Sequence, residues 1–234
     1  CPPGFHFGLA PAIPLATELA DDASEARGIF LPPIPQSRRM WAGGLIETLA
    51  PIRIGARVRR TSTIANIQNR MGKSGALCFV SILHEIESDD LLAVRERQDL
   101  VFRDAGPVIG TSTLPEASLE GLRWTVAATP PLLCRFSAFT FNGHRIHYDQ
   151  PYALSEGYPG LVVHGPMQAA LMLNQASAVL GHVPPRFEYH CRAPLFDGAC
   201  FDVRSAQEGA GVICRVSRHD GVTTAEGRTH APET

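Results

Sequence analysis

Apolar and polar positions change texture twice along this chain. The first forty residues are rich in proline and polar groups, and FLPPIP (Phe30 to Pro35) is excluded from a helix interior because proline lacks the amide donor and clashes with the preceding turn. From Trp41 the pattern becomes strand-like. Leu45 to Pro51 reads as a strand, Arg57 to Gln68 shows partial alternation with β-branched residues, Asn69 to Gly75 is a turn, and Leu77 to Glu87 and Leu91 to Arg103 complete an antiparallel meander. Residues 104–123 carry Gly, Pro, Ser and Thr with little periodicity and read as a linker. The pattern then restarts. Leu132 to Phe141 is apolar and expected as a strand, and Met167 to Gly181 has helical spacing and a glycine stop. Four strands follow, at Arg186 to Ala193, Cys200 to Gln207, Val212 to His219 and Val222 to His230. The fold class is therefore α+β. Residues 1–103 are expected to form one domain and residues 124–234 a second, with no clear sequence identity between the halves.

Composition narrows the classes. A hydrophobic content of 44% over 234 residues supports real cores. The formal net charge of -2 argues against a nucleic-acid partner. No run is long and apolar enough for a membrane span, and the opening residues lack the basic and apolar regions of a secretory signal. The six cysteines form no C-x-x-C pair and most lie in apolar stretches, so reduced, buried cysteine is expected. These features point to an intracellular protein, of the cytoplasm or the mitochondrial matrix.

The candidate chemistry is concentrated in FTFNGHRIHYD and the following EGYPGLVVHGPM. Asn142, His144, His147 and Asp149 fall within eight residues, among aromatic neighbours. In an extended backbone His147 and Asp149 share a face, so Asp149 is expected to orient the imidazole for proton transfer. Gly165 opens a helix, and its free N–H at the positive helix end suits a developing negative charge. Metal ligation by His144, His147, Asp149 and His164 is disfavoured, because the spacing matches no helical or cysteine-histidine site. No activated nucleophile, dinucleotide loop or P-loop is evident. The arginines at Arg38-Arg39 and at Arg57, Arg59 and Arg60 are either a solvated face or a landing site for phosphates or a carboxylate.

FNGHRIHYD with EGYPGLVVHGPM resembles the MaoC-like dehydratase group of the hotdog superfamily, in its two-domain hydroxyacyl-thioester dehydratase type 2 and mesaconyl-C4-CoA hydratase branch. LPPIPQSRRMWAGG and RQDLVFRD resemble the N-terminal domain of that branch. The resemblance implies a double hotdog, each half a long helix wrapped by a curved antiparallel sheet, with catalysis confined to the second half. It implies reversible addition of water to a 2-enoyl thioester, with no cofactor beyond the CoA or ACP thioester itself. His147 would move the proton, Asn142 would hold the water, Asp149 would orient His147, and the Gly165 N–H would stabilise the enolate-like state. Where the wider group places an aspartate five residues before the histidine, this chain has Asn142. Arg145, Arg60 and His164 are expected at the substrate, His164 with His144 also supporting the loop. A small branched dicarboxylyl-CoA such as mesaconyl-C4-CoA or itaconyl-CoA is the expected substrate. A 3-hydroxyacyl-ACP dehydratase and a non-catalytic thioester-binding protein are the alternatives. Either a monomer of two hotdogs or a homodimer satisfies the usual pairing.

Overall fold

The computed structural model describes residues 1–72, 75–104, 106 and 119–230. Its strands are β1 (Arg38–Thr48), β2 (Val58–Gly72), β3 (Gly75–Ser88), β4 (Leu91–Arg103), β5 (Leu122–Ala127), β6 (Arg186–Cys191), β7 (Cys200–Glu208), β8 (Gly211–Arg218) and β9 (Thr223–His230). They form one antiparallel sheet in the order β2-β3-β4-β1-β6-β9-β8-β7-β5. Each meander supplies one half of the sheet. The halves join where β1 pairs with β6, from Gly43 opposite His190 to Glu47 opposite Arg186.

Three helices complete the second half: α1 (Pro130–Thr140), α2 (Gln150–Ser155) and α3 (Gly165–Leu180). The stretch expected as a strand from Leu132 to Phe141 is α1. Thr129 caps it by accepting from the Leu132 amide, and prolines occupy its first turn, where no donor is needed. Of its apolar run only Leu133 is buried, with Ser137 one turn on, so a short one-sided helix fits the residues.

α3 lies against the second half-sheet and buries Met167, Ala169, Met172, Leu173 and Ala176. A fully buried side chain of the size of Leu or Met contributes about 1.5–3 kcal/mol. Its two buried glutamines are satisfied: Gln175 donates to the Val203 carbonyl (3.0 Å) and accepts from Ser205 (2.7 Å), while Gln168 accepts from Thr224 (2.7 Å). Gly181 ends the helix in the left-handed conformation (φ 76°), as the sequence predicts.

The first half is organised differently from its counterpart. Its described residues contain no α-helix, only short 3-10 turns at Phe5–Gly8 and Ala16–Glu18. The extended FLPPIP segment covers its sheet instead, with Leu31 and Ile34 packed on Cys78, Val80, Ile82, Leu100 and Phe102. The long helix expected in each half is therefore described in the second half alone. Most of the 104–123 linker, and the two residues at the tip of the β2–β3 turn, fall outside the described residues.

All six cysteines are free thiols. Cys78 and Cys214 are buried as expected, but Cys191 is only partly buried and Cys1, Cys134 and Cys200 are exposed, so burial does not hold for most of them. Among the described residues no helix is long and apolar enough to cross a membrane.

Candidate active site

A cavity of about 630 Å³ opens between the halves, within the usual size range for small-molecule sites. One wall carries Asn142, His144, His147, Val162 and Gly165 from the second half. The other carries Arg39 and Trp41 from β1, Arg60 from β2, His84 from β3, and Glu96 and Gln98 from β4.

The loop after α1 is rigidly built. Phe141 ends α1 in the left-handed conformation (φ 53°), and the Asn142 amide returns to the Ser137 carbonyl (2.9 Å). Asn142 Oδ1 accepts from the His144 amide (3.1 Å). That contact fixes which end of the side chain is oxygen and leaves Nδ2 as a donor for the cavity. The chain then makes a single 3-10 turn, Arg145–His147.

Because that turn is not extended, His147 and Asp149 do not share a face. Asp149 instead caps α2 by accepting from the Tyr152 amide (3.2 Å), and it pairs with Arg145 (2.9 Å). These contacts hold its carboxyl below the ordinary range. The expectation that Asp149 orients His147 is overturned. Arg145 is displaced from the substrate for the same reason: its guanidinium lies over the Tyr152 ring, beside Asp149, and does not line the cavity.

The backbone orients His147. The Val162 amide donates to the Ile146 carbonyl (2.9 Å), and the Val162 carbonyl accepts from His147 Nδ1 (2.6 Å). A carbonyl only accepts, so Nδ1 carries the hydrogen and Nε2 is the basic nitrogen. Burial, chiefly, with a further push from the Arg39 charge against the bond to Val162, lowers the His147 pKa to about 4. The ring is thus neutral at neutral pH.

His164 lies behind this ring. The two imidazoles stack with centroids 3.7 Å apart, and His164 Nε2 shares a 2.8 Å hydrogen bond with Ser137 Oγ. His164 is fully buried and does not line the cavity, which corrects its placement at the substrate. Burial and the neighbouring imidazoles push its pKa down to about 2. His144 packs edge-on to His147 and is lowered to about 3, by burial and then by Arg39 and His147.

Gly165 follows at the first position of α3, and its N–H has no intrahelical partner. A Cβ there would approach the Trp41 indole to 3.0 Å, so glycine permits the close passage of β1 over the helix end. Trp41 is held by its own bond to Tyr189 (2.9 Å).

The opposite wall contains a polar row that sequence reasoning missed in part. Ser62 opposes His84 across β2 and β3, and His84 opposes Glu96 across β3 and β4. His84 bonds both Ser62 Oγ (2.7 Å) and Gln98 (2.8 Å). Glu96 is only 1% exposed and is the one carboxylate among the described residues lining the cavity. Burial raises its pKa, but His6 at 3.4 Å, with His84 and Arg60, holds it below the ordinary value. Arg60 lines this wall and donates to the His6 carbonyl (3.0 Å). One signal was available. Val94, Glu96, Gln98, Leu100 and Phe102 alternate along β4, which puts an acid and an amide among apolar residues on one face.

Similarity to known proteins agrees with this architecture. The chain is 41% identical over 227 residues to a mesaconyl-C(4)-CoA hydratase of Chloroflexus aurantiacus, covering 95% of this chain and 80% of that protein. In structure it is similar to HtdX of Mycobacterium tuberculosis, with a TM-score of 0.65 at 17% identity over 83% of this chain and 75% of the other. It is also similar to a double-hotdog protein of the same organism, with a TM-score of 0.55 at 12% identity over 81% and 74% of the two chains. These likenesses establish the double-hotdog fold. Residues 4–197 match the family model of hydroxyacyl-thioester dehydratase type 2, and the chain belongs to that family.

Proposed function

We propose that this enzyme adds water reversibly across the double bond of a 2-enoyl-CoA, and that its substrate is a small branched dicarboxylyl thioester. Family membership makes it a hydro-lyase. The observation that carries the residue assignment is the convergence of His147 and Gly165 on one cavity, with Nδ1 of His147 committed to the Val162 carbonyl.

The thioester carbonyl oxygen takes the Gly165 N–H at the positive end of α3. Water is held by Asn142 Nδ2 and His147 Nε2. As its oxygen bonds to the β-carbon, His147 accepts the proton, and the electron pair of the double bond moves into an enolate stabilised at Gly165. The protonated imidazole then returns the proton to the α-carbon. Dehydration is the reverse. One donor at such an oxyanion position contributes about 2.7–4 kcal/mol in the transition state. Asn142 cannot take a proton at neutral pH, so one imidazole serves as base and then acid. Residues 1–103 form the substrate-binding half in this reading and residues 124–234 the catalytic half. The 41% identity to a mesaconyl-C(4)-CoA hydratase supports the dicarboxylyl substrate.

The test is loss of enoyl-thioester absorbance with crotonyl-CoA and mesaconyl-C4-CoA. His147→Ala should lower turnover by about 10²–10⁴-fold, the span of a positioned acid–base group. Absence of turnover by the wild type on any enoyl thioester sinks the reading. Near-wild-type turnover in the variant sinks the role of His147.

A further inference from the structure

Four guanidinium groups line the cavity, those of Arg39, Arg60, Arg103 and Arg192. Their surroundings differ. Arg192 pairs with Glu226, Arg103 has partners of its own, and Arg60 stands beside Glu96 with one bond to the His6 carbonyl. The guanidinium of Arg39 donates to a neutral acceptor, Ser24 Oγ (2.8 Å), forms no ion pair with a carboxylate among the described residues, and feels the Asp22 charge only at longer range.

Arg39 is tied to the reacting groups from two directions. The Ser24 amide donates to Asp22 Oδ1 (2.8 Å), and Asp22 Oδ2 lies 3.6 Å from His144 Nε2. The His144 ring is in turn 5.6 Å from that of His147. On the other side, Arg39 and Trp41 are two residues apart on β1, and Trp41 packs on Gly165. A cation is thereby held in the wall that faces the proposed base and the oxyanion donor.

We propose that Arg39 determines specificity by binding a carboxylate borne on the β-carbon of the enoyl thioester, an inference that rests on the hydratase reading above. With the carbonyl oxygen at Gly165 and water delivered by His147, a β-carboxylate is one bond from the attacked carbon and therefore in the neighbourhood of His147. An anion partly withdrawn from water in the cavity gains from a paired cation, and a guanidinium matches a carboxylate with two parallel donors. The same charge offsets repulsion between that carboxylate and the oxygen as it becomes negative during attack. A neutral β-substituent leaves the half-buried guanidinium with only the more distant Asp22 to offset its charge, which selects against it.

The experiment compares mesaconyl-C4-CoA with its methyl ester, which keeps the shape and removes the charge, in the wild type, Arg39→Met and Arg39→Lys. Crotonyl-CoA serves as the general hydratase substrate. The wild type should favour the acid over the ester in kcat/KM by on the order of 10²–10³-fold, the usual effect of losing a buried charge-assisted contact. Arg39→Met should bring that ratio to within about tenfold, and Arg39→Lys should restore it in part, because lysine keeps the charge but not the paired geometry. An acid-to-ester ratio near one in the wild type overturns the proposal, and needs no variant to be read. So does an unchanged ratio in Arg39→Met with both rates reduced, which marks a structural role or a contact to CoA phosphate. Wild-type hydration of crotonyl-CoA without preference for the acid defeats only the role of Arg39. Failure on every thioester defeats the hydratase reading.

Discussion

Acidification from pH 7 to pH 5 should destabilise this protein through the histidines around the cavity. His147, His144 and His164 are lowered to about 4, about 3 and about 2, chiefly by burial, with the Arg39 charge acting on His147 and His144 and neighbouring imidazoles acting on His144 and His164. In the unfolded chain an imidazole has a pKa of about 6.5. Between that value and the folded values the unfolded chain binds protons that the folded chain does not, so stability falls as pH falls through this window. At pH 5 the linkage amounts to about 2 kcal/mol for each ring, or up to about 6 kcal/mol for the three, against a typical domain stability of 5–15 kcal/mol. His84, lowered chiefly by burial, acts in the same direction. Asp149, Asp202 and Asp220 have depressed carboxyl pKa values, and their stabilisation is lost only as pH falls below the ordinary carboxylate range. The two effects are thus separated in pH. Urea unfolding followed by circular dichroism at pH 7, 6 and 5 reads the slope. His164→Asn removes one titrating ring and should shrink the loss between pH 7 and pH 5 by about 2 kcal/mol, whatever its stability at pH 7. A wild-type midpoint unchanged from pH 7 to pH 5, or a parallel pH curve for the variant, would refute the electrostatic account of the stack.

Two substitutions test the frame around the site. Gly165→Ala forces a Cβ against the Trp41 indole, which Tyr189 holds in place, so the helix end must move. We expect turnover to fall by about 10²–10³-fold and stability by about 1–3 kcal/mol, measured by steady-state kinetics and urea unfolding; wild-type behaviour in both would remove the glycine from the mechanism. Asp149→Asn keeps a competent helix cap but loses the partly exposed pair with Arg145, so its stability should change little. Its kcat should stay within about threefold of wild type, because an effect of 1.4 kcal/mol is already tenfold; a hundredfold loss would return this carboxylate to the chemistry.

What the sequence discloses of this molecule follows from the range of the forces involved. Most strands of both meanders and the stop of α3 at Gly181 are local matters of alternation and backbone conformation, and they are legible, although β1 begins at Arg38 rather than Leu45, β2 runs on to Gly72 and β5 is not expected. Leu132 to Phe141 is not, because a short apolar run suits a strand or a one-sided helix alike, and the Thr129 cap with two following prolines decides it. The site divides in the same way. His147 and Gly165 stand within single recognisable segments. The partner of His147 does not, since a backbone carbonyl fifteen residues away has no side-chain signature, and the nearby Asp149 looks like the natural choice until the 3-10 turn rotates it away. Arg39 is further removed, because only the β1–β6 pairing brings the first half-sheet beside the second. In its own segment it looks like one of several surface arginines. Among the described residues it forms no ion pair and stands in the cavity wall two residues from Trp41, and both are properties of the assembled fold. The residues that perform a family's shared reaction can lie in one motif, whereas those that select its substrate can come from whichever element the fold lays across the cavity.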